Sequence, residues 1–381
     1  MFLVVLEASL LGSGQILHLG GQITMKMALF TISILYTVFS MLCGERISLS
    51  TVLLLSYLLL LLSASTLIGL VKGAQPHMLE EDISQALYML ILPFFEITMR
   101  STRDVIRVFR IILVGSLIIA VGYVIVMGAL WVGSISTADV YRALQDKSDF
   151  MYDAADGRLF YKGSLYLGVA VIIFAFGRGR RAKVGLCITF ATVLLTMTRG
   201  LLLALVSSFL IYVLVRPARV GLKVLYILSI VTIGGLSIIA ILSFAGDKSG
   251  SDNDRRITIN QVLDEVGPVS AIVGHGFGIG VPERPEHMEI AYLEIIHKQG
   301  VLGMVWIGYL CVVLIQRFRR AIKQGSASLA YPLLLSAVFV FVESMTNPFI
   351  DNPIGLSVIV IALAGLRAIS VTQDGSIAAA T

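Results

Sequence analysis

Charge is what this chain has least of. Asp, Glu, Lys and Arg make up 14% of its 381 residues, against 57% hydrophobic residues, and the mean hydropathy is +0.91. Soluble domains carry roughly 25% charged residues, so about half the charge needed to clothe a water-facing surface is missing. That shortage excludes a soluble globular enzyme, a disordered chain and a nucleic-acid binder, the last in spite of a pI near 9.1. The excess of 29 Lys and Arg over 24 Asp and Glu reads as membrane topology rather than as a polyanion footprint. Cysteine is scarce too. Cys43, Cys187 and Cys311 each sit in an apolar run, so neither a disulfide framework nor a metal cluster follows. No period of the length that builds solenoids is present, and no low-complexity tract, which leaves repeat architectures unsupported. What remains is a polytopic membrane protein.

Dividing the chain at its polar breaks predicts about twelve apolar segments, each near the ~20 residues a helix needs to cross hydrocarbon. They are 1–11, 22–43, 49–71, 83–99, 107–133, 160–176, 184–197, 200–215, 222–245, 300–316, 328–346 and 353–372. The expected fold is all-α, a single transmembrane domain over 1–381. The first segment is short; no small-residue cleavage site follows it, so it is kept as a helix. Four basic clusters orient the rest: Arg100 to Arg110, Arg178 to Lys183, Arg216 to Lys223 and Arg317 to Lys323. With an even number of crossings all four share one face, which the positive-inside rule makes cytoplasmic, and both termini go with them. Two polar stretches, 134–160 and 246–299, then lie on the extracytoplasmic side. Chemistry there has little access to ATP or nucleotide-sugars.

Some charges stand against their own interest. The run 184–215 is apolar except for Thr198-Arg199-Gly200. Its first arm, 184–197, rises only ~21 Å, short of a ~30 Å hydrocarbon core. A hairpin with Arg199 at its tip holds the guanidinium below the outer lipid surface, where an unmet Arg costs at least ~2.5–3.5 kcal/mol. Either an anion meets it or it snorkels to lipid phosphates. Further on, Asp254-Arg255-Arg256-Ile257 opens a short helix stopped by Gly267-Pro268. Adjacent arginines on a helix point in different directions, so at most one of them faces any one site. Gly274-His275-Gly276-Phe277-Gly278-Ile279-Gly280 has the look of a dinucleotide fingerprint but lacks the preceding strand. Its alternating glycines suit a tight loop or a close approach of N–H groups to an oxyanion. His275 is read as structural.

The stretch from Arg284 to Gly300 is the most informative. Pro285 suits a first helical position and Gly300 a stop, which predicts a short helix over 285–299. On that helix Glu289 falls among Tyr292, Leu293 and Ile296, while His287, Glu294 and Lys298 occupy the opposite, polar face. A carboxylate on the buried face is either a general base or a structural tie to an arginine. His297 borders the apolar stripe and is the second candidate; His287 is expected to be solvated. Glu96, Lys26 and Glu343 are expected as internal polar ties, and Asp351 and Asn352 as turn residues.

Taken together these residues resemble the bacterial O-antigen ligase and O-antigen polymerase superfamily, polytopic glycosyltransferases of the GT-C type. Three features over about 184–316 carry the resemblance. The first is Thr198-Arg199-Gly200 opening a Leu-rich helix. The second is Arg256, then a short helix, Pro268 and the glycines Gly274 to Gly280. The third is Tyr292-Leu293-Glu294 leading to Gly300-Val301-Leu302-Gly303. The chain departs from the ligases at one place. Counting back eleven residues from Gly300 lands on Glu289-Ile290, where the ligases have a His-Asn, His-Ser or His-Gln pair, so their presumed catalytic His is a Glu here. That leans towards a polysaccharide polymerase.

The resemblance implies a glycan donor on undecaprenyl diphosphate and, as acceptor, a sugar hydroxyl on a second lipid-linked repeat unit. Glu289 is the implied base with His297 in reserve. Arg199, Arg255, Arg256 and Arg284 are candidates to hold the diphosphate, since guanidinium matches phosphate oxygens bidentately and stays cationic. Direct displacement inverts the anomeric centre. No cofactor is implied and no metal is required, although the acidic loops could hold one. A chain-length regulator and a flippase are the implied partners, beside the bilayer, and the bacterial inner membrane the implied location, with the active site facing the periplasm. The alternatives are a ligase acting on lipid A-core and, from another class, a secondary transporter, whose mirrored halves this chain lacks.

Overall fold

Serine and threonine mark where three of the long helices begin. A computed structural model describes residues 1–12, 18–20, 23–144, 150–153, 158–216, 219–244 and 249–371. Within the two polar stretches, 145–149, 154–157 and 245–248 lie outside the described residues, and Asp146, Lys147, Asp149, Asp156, Asp247 and Lys248 with them.

The chain opens with α1 (Phe2–Leu11), α2 (Met25–Leu42) and α3 (Leu49–Val71). The hydroxyls of Thr24 and Ser48 accept the Met27 and Thr51 N–H groups at the starts of α2 and α3. Then come α4 (Pro76–Leu87) and α5 (Leu92–Thr98), joined by a single 3-10 turn, Tyr88–Ile91. A capping box between Ser101 and Asp104 starts α6 (Thr102–Trp131). There follow α7 (Thr137–Leu144), α8 (Leu165–Phe176), α9 (Arg180–Leu195), α10 (Arg199–Val215) and α11 (Val220–Phe244). The chain finishes with α12 (Ser249–Glu265), α13 (Pro268–Val273), α14 (Ala291–Lys323), α15 (Ala327–Glu343) and α16 (Pro353–Val371). Two small antiparallel hairpins, His18–Gly20 with Ile23–Thr24 and Phe150–Asp153 with Arg158–Tyr161, interrupt the helical pattern.

Each predicted apolar segment overlaps helix, although 160–176 begins on strand and a 3-10 turn before α8. By length and composition, six stretches suffice to cross a membrane: α2, α3, α6, Val220–Ser237 of α11, α14 and α16. The apolar helices at Lys162–Phe176, Arg199–Val215 and Ala327–Glu343 are shorter. The segment predicted as one span over 83–99 is instead the end of α4, the 3-10 turn and α5. Pro93 explains the break, because it has no N–H to give to the carbonyl four residues back.

The last helix, α16, is the centre. It is buried along nearly its whole length, against α5, α6, α14 and α15. By contrast α2, α3 and α11 expose Leu35, Phe39, Leu60, Leu67, Leu225 and Leu228. Apolar faces of that extent suit acyl chains rather than water. This is a polytopic helical membrane protein.

Polar groups mark two ends, which α3 separates by ~35 Å at 1.5 Å per residue. At the start of α3, Glu45 pairs with Arg100 at 2.7 Å, and the fully buried Glu96 pairs with Arg317 at 2.7 Å and Arg367 at 3.0 Å. At its far end the Ser65 carbonyl accepts the Phe277 N–H, and the Lys72 Nζ lies 2.9 Å from Nδ1 of His275. That far end carries the candidate site.

Candidate active site

Three segments meet at the far end: α12, the loop 274–290 and the first turns of α14. Their shared apolar contact is small, Val262 of α12 packing with Val281, Met288 and Leu293. It turns Arg255 and, one helical turn on, Thr258 towards the loop. Arg256, beside Arg255, is exposed and outside the pocket. A tight turn in which Val281 and Arg284 exchange backbone hydrogen bonds presents Arg284.

Glu289 lies between the two arginines. Its Oε2 accepts from Nε of Arg255 at 2.6 Å, and its Oε1 from Nη2 of Arg284 at 2.9 Å. The Asp254 carboxylate stands 4.0 Å from Arg284. All three side chains of the Arg-Glu-Arg bridge are about one-third exposed, at 31%, 34% and 31% for Arg255, Arg284 and Glu289. The bridge lines a small open pocket with Thr258, Ile290 and Leu293. The two guanidiniums present N–H donors of the kind that match phosphate or carboxylate oxygens.

The helix expected over 285–299 starts six residues late, at Ala291. Residues 285–290 run as bends because their backbone groups are taken by side chains. The Glu294 carboxylate accepts the Met288 N–H at 2.9 Å, and the Lys298 ammonium donates to the Glu286 carbonyl at 2.9 Å. Glu289 therefore precedes α14 instead of riding on its face. The helix does stop at Gly300, where φ is 64° and ψ −159°, before α14 resumes. The freed carbonyls of His297 and Lys298 accept the N–H groups of His275 and Gly276.

Glu294 and Lys298, expected on a polar outer face, are instead buried at 4% and 2% exposure. Lys298 donates to Asp82 of α4 at 2.7 Å and to Glu294 at 2.5 Å. Asp82 in turn accepts the Gly278 N–H at 2.8 Å. His287, expected in solvent, sits 3.1 Å from both Glu294 and Glu81. Burial alone would lower its pKa, but those carboxylates outweigh it and push it up to about 9. This network fixes the loop that carries Glu289 and Arg284. Its sequence signal was the i,i+4 spacing of Glu294 and Lys298; Asp82, 216 residues away from Lys298, gave none.

Arg199 starts α10 after a three-residue turn from α9, and no pocket-lining residue comes from that helix. It is at the same end, however. A Cβ on neighbouring Gly200 would collide with Thr346 and Glu343, and Ser344 of that turn accepts the Ala291 N–H at 3.2 Å. His297 is apart from the pocket. It is 1% exposed and stacked on His275, with ring centroids 4.5 Å apart. Burial and the Lys72 ammonium hold the His275 pKa down.

Two groups bring three potential metal ligands within 4.8 Å of one another: Glu265, His275 and His297, and Asp82, His287 and Glu294. The Lys298 ammonium already occupies the second, bonded to two of its carboxylates. Lys72 abuts the first.

The apolar helical bundle defines a class: a multi-pass membrane protein, with an arginine-lined open pocket at one end. No protein-family model matches the chain. It is 28% identical over 357 residues to an O-antigen polymerase of Shigella flexneri, covering 91% of this chain and 89% of that one. The chain is thus similar over most of its length to an O-antigen polymerase, in keeping with the superfamily its motifs resemble.

Proposed function

We propose that this protein is a polysaccharide polymerase of the O-antigen type, a membrane glycosyltransferase that joins lipid-linked repeat units. Its relative supports the class of activity, and one observation carries the chemistry: the Glu289 carboxylate held between Arg255 and Arg284 in an open pocket. In the proposed reaction a glycan on undecaprenyl diphosphate is the donor and a sugar hydroxyl of a second lipid-linked unit the acceptor. The acceptor oxygen attacks the anomeric carbon from the side opposite the diphosphate. The bond to the phosphate oxygen breaks, and undecaprenyl diphosphate leaves with the electron pair. The acceptor proton goes to Glu289.

Arg255 and Arg284 hold the departing diphosphate, with Arg199 approaching from α10. When phosphate oxygens take the two guanidiniums, Glu289 loses its present partners and its oxygens are freed for the hydroxyl. Charge that develops on the leaving oxygens is where fixed donors contribute most, a few kcal/mol for each donor by analogy with single oxyanion donors. The proposed setting is the inner membrane, with the pocket towards the periplasm and the basic clusters towards the cytoplasm.

Deletion in the native host, followed by a gel of surface polysaccharide, tests the reading. Loss of long chains with the single-repeat product retained is the expected outcome. Loss of all glycan from lipid A-core would make it a ligase, and an unchanged pattern would remove the polymerase reading altogether.

A further inference from the structure

The end of the molecule away from Glu289 carries an open groove of about 310 Å3 between α3 and α14. Its upper half is polar: Ser48 and Ser50 at the start of α3, with Gln316, Arg317 and Arg320 from α14. Its lower half is apolar and is formed by Leu53, Tyr309 and Val313, while Leu49 stands between the two serines. The lining repeats at helical spacing, 309, 313, 316, 317 and 320 on one helix and 49, 50 and 53 on the other, so each helix turns one stripe into the groove.

The charges in the polar half do not balance. Arg317 and Arg367 share the single carboxylate of Glu96, so that trio already carries excess positive charge. Arg317 is also saturated, donating to Ser48, Ser50, Thr51 and the Leu363 carbonyl. Arg320 adds a second uncompensated charge. It is exposed at the groove and makes no side-chain hydrogen bond or ion pair among the described residues. The Ser48-capped N-terminus of α3 points its positive dipole end at the same place.

A cationic head above an apolar slot, on the outer surface of a membrane bundle, has the shape of one ligand. We propose that this groove binds an anionic phospholipid, with the phosphate on Arg320 and an acyl chain along Leu53 and Tyr309. The guanidinium offers paired N–H donors to phosphate oxygens, and basic pockets between transmembrane helices suit anionic head groups. The inference is independent of the reaction proposed at the other end.

The full-length protein in detergent tests it by thermal unfolding against added phosphatidylglycerol, phosphatidylcholine or inorganic phosphate. A ligand that binds the folded state raises the midpoint with concentration. Phosphatidylglycerol should raise it, while phosphatidylcholine and inorganic phosphate should do much less. Arg320→Gln should require about tenfold more phosphatidylglycerol for the same rise, as expected for one lost charged contact. Leu53→Trp, which fills the apolar half without changing charge, should weaken the response likewise. Arg319→Gln removes a charge from the same helix outside the groove and should leave the response intact. An equal loss in Arg319→Gln, an equal rise with inorganic phosphate or phosphatidylcholine, or no rise in the unaltered protein would overturn the proposal.

Discussion

Arg255 and Arg256 are neighbours with different fates. Arg255 turns inward to Glu289 and Arg256 outward to solvent, so their truncations separate a positioned cation from a general one. Arg255→Ala should lower polymer formation by about 100-fold or more, as loss of one fixed donor to a developing charge does. Arg256→Ala should leave chain length close to normal; a gel of surface polysaccharide from the two variants decides. The buried network makes a separate prediction, on stability. His287, held at about 9 by Glu294 and Glu81, binds a proton more tightly folded than unfolded, where histidine titrates at about 6.5. Its contribution is therefore whole below pH of about 6.5 and fades as pH climbs through about 9. The unfolding midpoint of the detergent-solubilised protein should fall more steeply between neutral and strongly alkaline pH than that of His287→Gln. Parallel curves would show that the proton on His287 does not brace the loop.

Among the elements, the helices were legible because apolar length is a local property; each predicted segment needed only its own residues. The loop 284–290 was not. Pro285 and Gly300 bracket a plausible helix, but Met288 and Glu286 give their backbone groups to Glu294 and Lys298. Glu294 and Lys298 are in turn buried by Asp82 from a distant helix, a partner no local pattern announces. Glu289 falls on the apolar face of a helical wheel that the structure does not keep, while its spacing from Gly300 does not depend on the helix. Gly300 itself was read correctly as a stop. Its φ of 64° and ψ of −159° lie in a region that only glycine enters at low cost, and a Cβ there would strike the Ile272 carbonyl. Gly300→Ala should cost at least ~1–3 kcal/mol of stability and disturb the Gly274–Gly278 loop stacked on it. Gly308→Ala, on the same helix with nothing within 4 Å of the added carbon, should be neutral or gain up to ~1 kcal/mol. Unfolding midpoints of the two variants provide the comparison.

Across the whole molecule, charge is rare and gathered at two ends of one apolar bundle. One end is tied by Glu96 to Arg317 and Arg367, deep among α3, α5, α14 and α16. The other leaves Arg255, Glu289 and Arg284 open, and braces them from beneath with buried Asp82, Glu294 and Lys298. The proposed reaction on a diphosphate lipid draws on that open ion bridge. The direct measurement uses purified protein and a lipid-linked repeat unit, with products followed by mass spectrometry. The unaltered protein should lengthen the glycan and release one undecaprenyl diphosphate for each unit added, while Glu289→Gln should still retain the lipid-linked unit but yield no dimer. Normal chain growth by Glu289→Gln would contradict the account.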